Sequence, residues 1–290
     1  MIGKTRQESA DGIEERFDPE VGPARGILRR EWPEGQVRHQ RMAPSPQSAY
    51  WIAHYWMVQW DLRGCAPQTV ENLPHPNVHL IFENGESLVS GVHTRKFSRI
   101  LAGKAQVCGI KFRPGGFQPF CGCPVSDLAD RVVPASSLPG MNLRQFETVA
   151  FSSEDLTEIS EAADIWLQAQ ALTPDPIVAC AAELVDRILA EPEIKTVADL
   201  SRQSGIGLRR LQRIFREYVG ASPKWVIRRY RLHELIERMN FGRTNPERVD
   251  WAQLAQELGY FDQAHLIKDF KAAVGRAPAQ EGRIRKNSRL

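Results

Sequence analysis

The sequence of 290 residues contains no apolar run near the roughly 18 residues that a membrane-spanning helix requires, which excludes such a span. Its opening residues (MIGKTRQESADGIEERFDPE) have neither an apolar h-region nor a basic amphipathic face. No targeting segment and no membrane partner are therefore expected, and the chain is read as cytoplasmic. Cysteine is scarce: the five residues Cys65, Cys108, Cys121, Cys123 and Cys180 are odd in number, scattered, and without a CxxC pair. That usage excludes a disulfide framework and a four-thiolate zinc site, and fits a reducing compartment. No Ser/His/Asp order and no phosphate-cradling glycine loop is present, so no catalytic chemistry and no cofactor is expected.

What is present is ordinary for a globular protein, with 42% hydrophobic and 25% charged residues. At about 150 residues per domain the length predicts two domains. The formal charge of +3 conceals an asymmetry. Residues 191–290 hold 20 Lys/Arg and 12 Asp/Glu, a net of +8; residues 1–190 hold 18 and 23, a net of −5. A basic C-terminal third predicts contact with a polyanion, because Lys and Arg that neutralise phosphates release counterions.

Residues 1–24 are polar and without periodicity, and are read as a mobile arm. Between 25 and 140, apolar runs at Tyr50 to Trp60, Val78 to Phe82, Ser87 to Val92 and Ala105 to Phe112 alternate with turn residues such as Asn84-Gly85 and Pro114-Gly115-Gly116. These predict the strands of a β-barrel or sandwich. Residues 141–172 then take helical spacing, with Leu143 to Ala150 and Glu154 to Ala169 forming a helical hairpin, a dimerisation element, and Ser152 or Ser153 capping its second helix. Thr173-Pro174-Asp175-Pro176 marks the domain boundary, Asp175 being the expected N-cap of the next helix. An all-α region follows over 176–280, and a basic tail over 281–290. The fold class is therefore α+β.

The all-α region contains an internal repeat. Val197, Ala198, Leu200 and Gly205 recur 54 residues later as Trp251, Ala252, Leu254 and Gly259. Leu211, Phe215, Val219, Gly220 and Pro223 recur 55 residues later as Leu266, Phe270, Val274, Gly275 and Pro278. Each copy pairs a short apolar helix with a glycine turn and a second amphipathic helix, the pattern of a helix-turn-helix. Ser222 and Pro223 open a helix that links the two. In the first unit Leu211, Phe215 and Tyr218 face the core, leaving Arg209, Arg210, Gln212, Arg213 and Arg216 outward. That face suits the major groove: Arg presents a fork to guanine, Gln to adenine, and further Arg residues hold phosphates. In the second unit Asp262 is the expected N-cap, with Gln263, His265 and Lys268 near the helix start.

Leu211-Gln212-Arg213-Ile214-Phe215, Gly220-Ala221-Ser222-Pro223, Arg231-Leu232, Gly259-Tyr260-Phe261 and Phe270-Lys271 with Gly275 and Pro278 resemble the signature of the AraC/XylS family of transcriptional regulators, over roughly residues 177–279. The resemblance implies two recognition helices that enter successive major grooves of promoter or operator DNA. It transfers base reading to Arg209, Gln212 and Arg213, and to Gln263, His265 and Lys268. It also implies an N-terminal cupin-like domain that binds an effector, a homodimer, and contact with RNA polymerase. Gly207 departs from the capping Ser common in the family, as does the 243–248 stretch.

Arg25, Arg29 and the adjacent Arg30 lie where the arm meets the first strand. Four RxxxR pairs occur in the chain, so only the position distinguishes this one. Forked arginines at such a junction can grip guanine edges and phosphates. With the barrel, hairpin and bipartite reader, the layout resembles the CuxR class of the family, which responds to cyclic di-GMP and activates exopolysaccharide genes. The D/N-x-S-x-x-G motif of PilZ receptors is absent, which leaves the ligand's second wall unassigned. Trp32, Trp51, Trp56, Trp60, Tyr50 and Tyr55 fall within 29 residues and are read mainly as barrel core and dimer packing. Another small effector is the alternative. A metal-dependent cupin enzyme is a more distant one: His75, His79 and Glu83 would share a strand face, but Pro74 and Pro76 interrupt it, so ordinary histidines and no metal are expected. A repair regulator of the Ada type would need thiolates that Cys121 and Cys123 alone cannot supply.

Overall fold

The computed structural model describes residues 5–8, 13–22, 26–29, 37–240 and 249–281, with side chains for 17–22, 26–28, 37–239 and 249–281. The N-terminal part contributes β1 (Thr5–Glu8), β2 (Ile13–Phe17), β3 (Ile27–Arg29), β4 (Val37–Met42), β5 (Ile52–Leu62), β6 (Gln68–Asn72), β7 (His79–Glu83), β8 (Glu86–Ser90), β9 (Phe97–Leu101), β10 (Gly103–Phe112) and β11 (Val132–Pro134). They form an eight-stranded sheet in the order β1-β2-β4-β5-β10-β7-β8-β11 and a three-stranded sheet in the order β3-β6-β9. The β7–β8 hairpin turns at Asn84 and Gly85, both with positive φ (51° and 77°), the pairing that a two-residue hairpin favours.

Strand alternation gives the large sheet two different faces. Tyr55 and Met57 of β5, Leu80 and Phe82 of β7, and Cys108, Ile110 and Phe112 of β10 are buried in the principal core. The residues between them, His54, Trp56, His79, Ile81 and Lys111, line a cavity. The small sheet closes that cavity with Ile27, Val70, Asn72, Phe97 and Arg99. Helices cover the apolar face: α1 (Gln118–Cys121), α2 (Arg144–Ser152) and α3 (Leu156–Ala169). Phe146 of α2 meets Phe82 edge-on at 4.7 Å, and the hydroxyl of Tyr55 donates to Asp164 on α3.

Two expectations are corrected here. The stretch read as a mobile arm supplies β1 and β2, with β2 parallel to β4. An otherwise open strand edge at β4 gives polar residues a hydrogen-bonding partner that hydrophobic pattern does not reveal. The cap of α3 is Asp155, whose carboxylate accepts from the Thr157 N–H at 2.8 Å. Ser152 and Ser153 instead finish α2, Ser152 donating back to the Thr148 carbonyl at 2.7 Å.

The C-terminal part comprises α4 (Pro176–Ala190), α5 (Val197–Ser204), α6 (Leu208–Ile214) with a following π-turn (Phe215–Val219), α7 (Pro223–Asn240), α8 (Trp251–Glu257) and α9 (Gln263–Val274). Asp175 caps α4 and Pro176 opens it. The core crosses the break at residues 173–176. Val178, Ala181 and Leu184 of α4 and Leu211, Phe215 and Val219 of the first unit belong to the same apolar cluster as Trp51 and Phe117. A second cluster joins Leu28 and Leu73 to Leu235, Ile236, Leu266 and Phe270. Since burying one such side chain stabilises by about 1.5–3 kcal/mol, both helix-turn-helix units are docked on the β-rich domain, not merely tethered to it.

Candidate DNA-binding face and effector cavity

In the first unit Thr196 and Asp199 form a reciprocal capping box at the start of α5, with Thr196 N–H to Asp199 Oδ2 at 2.8 Å and Asp199 N–H to Thr196 Oγ1 at 3.1 Å. Gly205 then turns in the left-handed region, φ 69°. Leu211, Ile214 and Phe215 are buried, and Tyr218 is fixed by its hydroxyl to Asp175 Oδ2 at 2.6 Å. The helical period leaves Arg209, Arg210, Gln212, Arg213 and Arg216 exposed. Among the described residues none of these four arginines is engaged in an ion pair or hydrogen bond, which keeps their donors available. The start of α6 at Gly207 has no side-chain cap.

In the second unit Asp262 caps α9, accepting from the His265 N–H at 2.7 Å. Gln263, His265 and Lys268 are exposed while Leu266 and Phe270 are fully buried. His265 is partly committed, its ring edge-on to Tyr260 at 5.3 Å and its Nε2 3.9 Å from Asp269. Phe261, 89% exposed in the turn before α9, is a further candidate that helical period and charge do not single out. An exposed ring beside a recognition helix can meet a thymine methyl. The linking helix α7 is bolted to this unit by Arg228, which donates to Asp269 at 2.9 Å through Nε, and by Arg231 Nη1 to the Gly259 carbonyl at 2.9 Å.

The cavity between the sheets has a volume of about 850 Å³, within the roughly 300–1,000 Å³ of small-molecule sites. Trp56, Trp60 and Phe97 supply aromatic wall. Tyr230 of α7 and Leu189 of α4 also reach it, so the C-terminal helices form part of its boundary. Across the sheet, Lys111 of β10 stands directly opposite His54 of β5 and His79 of β7. Arg41 of β4 lies beside them, Nε 3.4 Å from His54 Nε2, with Nη1 on the Gly22 carbonyl at 2.7 Å. Burial, reinforced by the neighbouring Lys111, pushes the His79 imidazole down to about 3 and holds His54 well below the ordinary histidine value. Burial, with Arg41 adding to it, brings the Lys111 ammonium down to about 7.

Of the arginines proposed for the effector, Arg25 and Arg30 lie outside the described residues. Arg29 is described in its backbone alone, in β3 opposite Glu71 of β6; Ile27 of the same strand lines the cavity. His75, His79 and Glu83 do not share one site. His75 packs on His233 of α7 with ring centroids 4.1 Å apart, His79 faces the cavity, and Glu83 is paired with Arg99. The prolines before His79 keep His75 in a loop that reaches α7, off the strand face expected for it. Among the described residues no three His, Cys, Asp or Glu side chains are grouped as metal ligands, and no helix is long and apolar enough to cross a membrane.

Residues 200–283 match the model of a helix-turn-helix domain family, and residues 40–134 match that of a domain of unknown function, DUF6597. No curated protein matches the chain in sequence. Among solved structures it is similar to ToxT from Vibrio cholerae, at 10% identity over 86% of this chain and 98% of that one, TM-score 0.38. A structure of ToxT with an unsaturated fatty acid bound is similar at 10% identity over 79% of this chain and 86% of that one, TM-score 0.35. The matched helix-turn-helix region spans both docked helical units of the C-terminal part. The residues that carry the AraC/XylS resemblance, from Leu211 to Pro278, all fall within this matched helix-turn-helix region.

Proposed function

We propose that the protein is a cytoplasmic transcriptional activator that reads promoter DNA through both recognition helices and is switched by cyclic di-GMP bound to its cupin-like N-terminal domain. It acts as a homodimer, contacts RNA polymerase and controls exopolysaccharide genes. The observation that carries the DNA-reading half is the exposed face of α6 and its π-turn, where four arginines and Gln212 stand with no ion pair among the described residues to occupy them. Arg209, Gln212 and Arg213 read bases, Arg210 and Arg216 hold phosphates, and Gln263, His265 and Lys268 read the second groove with Phe261 beside them.

The nucleotide half is supported by the arginine-bearing strand β3 at the edge of a cationic cavity of suitable size. Arg25 and Arg29 supply the forks, with Arg30 as an auxiliary. Tyr230 couples the cavity to the linking helix. The test is twofold. Calorimetry with cyclic di-GMP on wild type, Arg25→Ala and Arg29→Ala should show binding that either substitution abolishes; wild-type affinity in both variants removes the arginines from the site. Sedimentation and anisotropy with an operator selected from random DNA should show dimerisation and DNA affinity rising together with ligand; if both ignore it, control by this nucleotide is refuted.

A further inference from the structure

The row His79–Lys111–His54 with Arg41 spans four adjacent strands, β7, β10, β5 and β4, and faces the cavity. An ammonium removed from water without a counter-ion is disfavoured. The Lys111 ammonium makes no hydrogen bond or ion pair among the described residues. The two carboxylates among the cavity's lining residues, Glu20 and Asp186, are both exposed, and Asp186 is already paired with Arg113 at 3.4 Å. The indole N–H of Trp56, another lining residue, is buried without an acceptor. Among the described residues the Lys111 ammonium and the Trp56 indole N–H are left without an acceptor, and a bound group carrying negative charge would satisfy both.

We propose that this wall is an anion-binding site, in which the carboxylate or phosphate of an effector seats against Lys111 with Arg41 beside it, while an aromatic or short apolar body lies along Trp56 and Trp60. The proposal rests on the reading of the N-terminal domain as the effector domain, but not on cyclic di-GMP or on Arg25 and Arg29. His54 and His79 remain neutral and serve as hydrogen-bonding partners. The groups that face Lys111 are His39 and Arg41 on β4, His54 on β5, His79 on β7 and His93 after β8, with Glu20 and Asp186 among the outer lining residues. Affinity for the anion therefore falls as pH rises through about 7, where Lys111 loses its proton.

The test uses the full chain and three probes of one shape: 1-naphthoate, 1-naphthyl phosphate and neutral 1-naphthamide, titrated calorimetrically at pH 6.5 and 8.5. Wild type should bind at least one anionic probe at pH 6.5 about tenfold or more tighter than the amide, and the preference should shrink at pH 8.5. Tightest binding of the naphthoate identifies a carboxylate effector, and of the naphthyl phosphate a phosphate one. Lys111→Met and Lys111→Gln should lose the preference while retaining a cooperative thermal transition. Equal binding of the amide, a preference that survives both substitutions, or binding of no probe overturns the site. Cyclic di-GMP is titrated in parallel. If it fails to bind while the anionic probes bind through Lys111, the nucleotide reading falls and the anion site stands. If it binds unaltered to Lys111→Met and no naphthyl anion binds, the anion site falls and the nucleotide reading stands.

Discussion

Arg213 and Lys111 carry the same formal charge in opposite surroundings, and their substitution should have opposite consequences. Arg213 is exposed on α6 with its donors free, and a forked arginine–guanine contact is worth about 1–3 kcal/mol of discrimination. Arg213→Ala should weaken binding to the selected operator roughly tenfold to a hundredfold while leaving the melting temperature unchanged; undiminished affinity in a gel shift would remove Arg213 from base reading. Lys111 titrates near 10.5 when unfolded and about 7 when folded. Between those values the unfolded chain holds the additional proton, so stability rises with pH, and at or below about 7 the penalty is fully present. Lys111→Met should accordingly stabilise the ligand-free protein at pH 7 by on the order of a few kcal/mol, a gain that disappears near pH 10.5. Thermal melts across that range check it, and a gain independent of pH would contradict the origin given. The first residue was legible in the sequence because helical period and charge are local. The second was not: His54 and Lys111 are brought opposite each other by strand pairing, and no periodicity reveals which strands pair.

At the scale of the element, the repeated glycines show how a motif can be read correctly and yet understate its demands. Gly220 and Gly275 occupy equivalent positions after the two recognition helices, and both have φ of 90°. A β-carbon at Gly275 would meet open space, whereas one at Gly220 would lie 2.9 Å from Val125 Cγ1 and 3.2 Å from Val92 Cγ2 of the N-terminal domain. Left-handed backbone costs a non-glycine residue on the order of 1 kcal/mol, and the added contact has to be relieved by movement between domains. Gly220→Ala should therefore lower the melting temperature more than Gly275→Ala, and should shift the ligand dependence of DNA binding as well. Equal losses in the two variants would show that the approach of Val125 does not matter. Repeat spacing exposed both turns and both helix starts, including the Asp262 cap. It could not expose β4, β6 and β9, whose polar or short sequences gain their hydrogen bonds from distant neighbours, nor the strands formed by the N-terminal stretch.

For the whole molecule, the division of charge into a basic and an acidic part acquires a structural use at the junction. Buried Glu71 of β6 accepts from Lys96 at 2.5 Å and from Arg276, just beyond α9, at 3.1 Å. Arg229 of α7 donates to the Thr94 carbonyl, and Thr94 is in turn held by Asp130. The linking helix and second reader are thus tied to strands that enclose the cavity, and Tyr230 touches the cavity itself. Under the proposed function, occupation of the cavity is coupled to DNA binding through these contacts, and the coupling is reciprocal: if ligand tightens DNA binding by some factor, DNA tightens ligand binding by the same factor, typically about 5- to 150-fold. Glu71→Gln removes the charge that holds Lys96 and Arg276, at a residue that is not among those lining the cavity. It should leave the affinity of the isolated steps near wild type while drawing the coupling factor toward one, measured by operator titrations with and without saturating effector. A factor unchanged in Glu71→Gln would place the coupling elsewhere, leaving Arg229 and Tyr230 of α7 as its carriers. If the factor falls in operator titrations but not in the matching effector titrations, a single two-state coupling between the sites is excluded, because equilibrium linkage permits no such asymmetry.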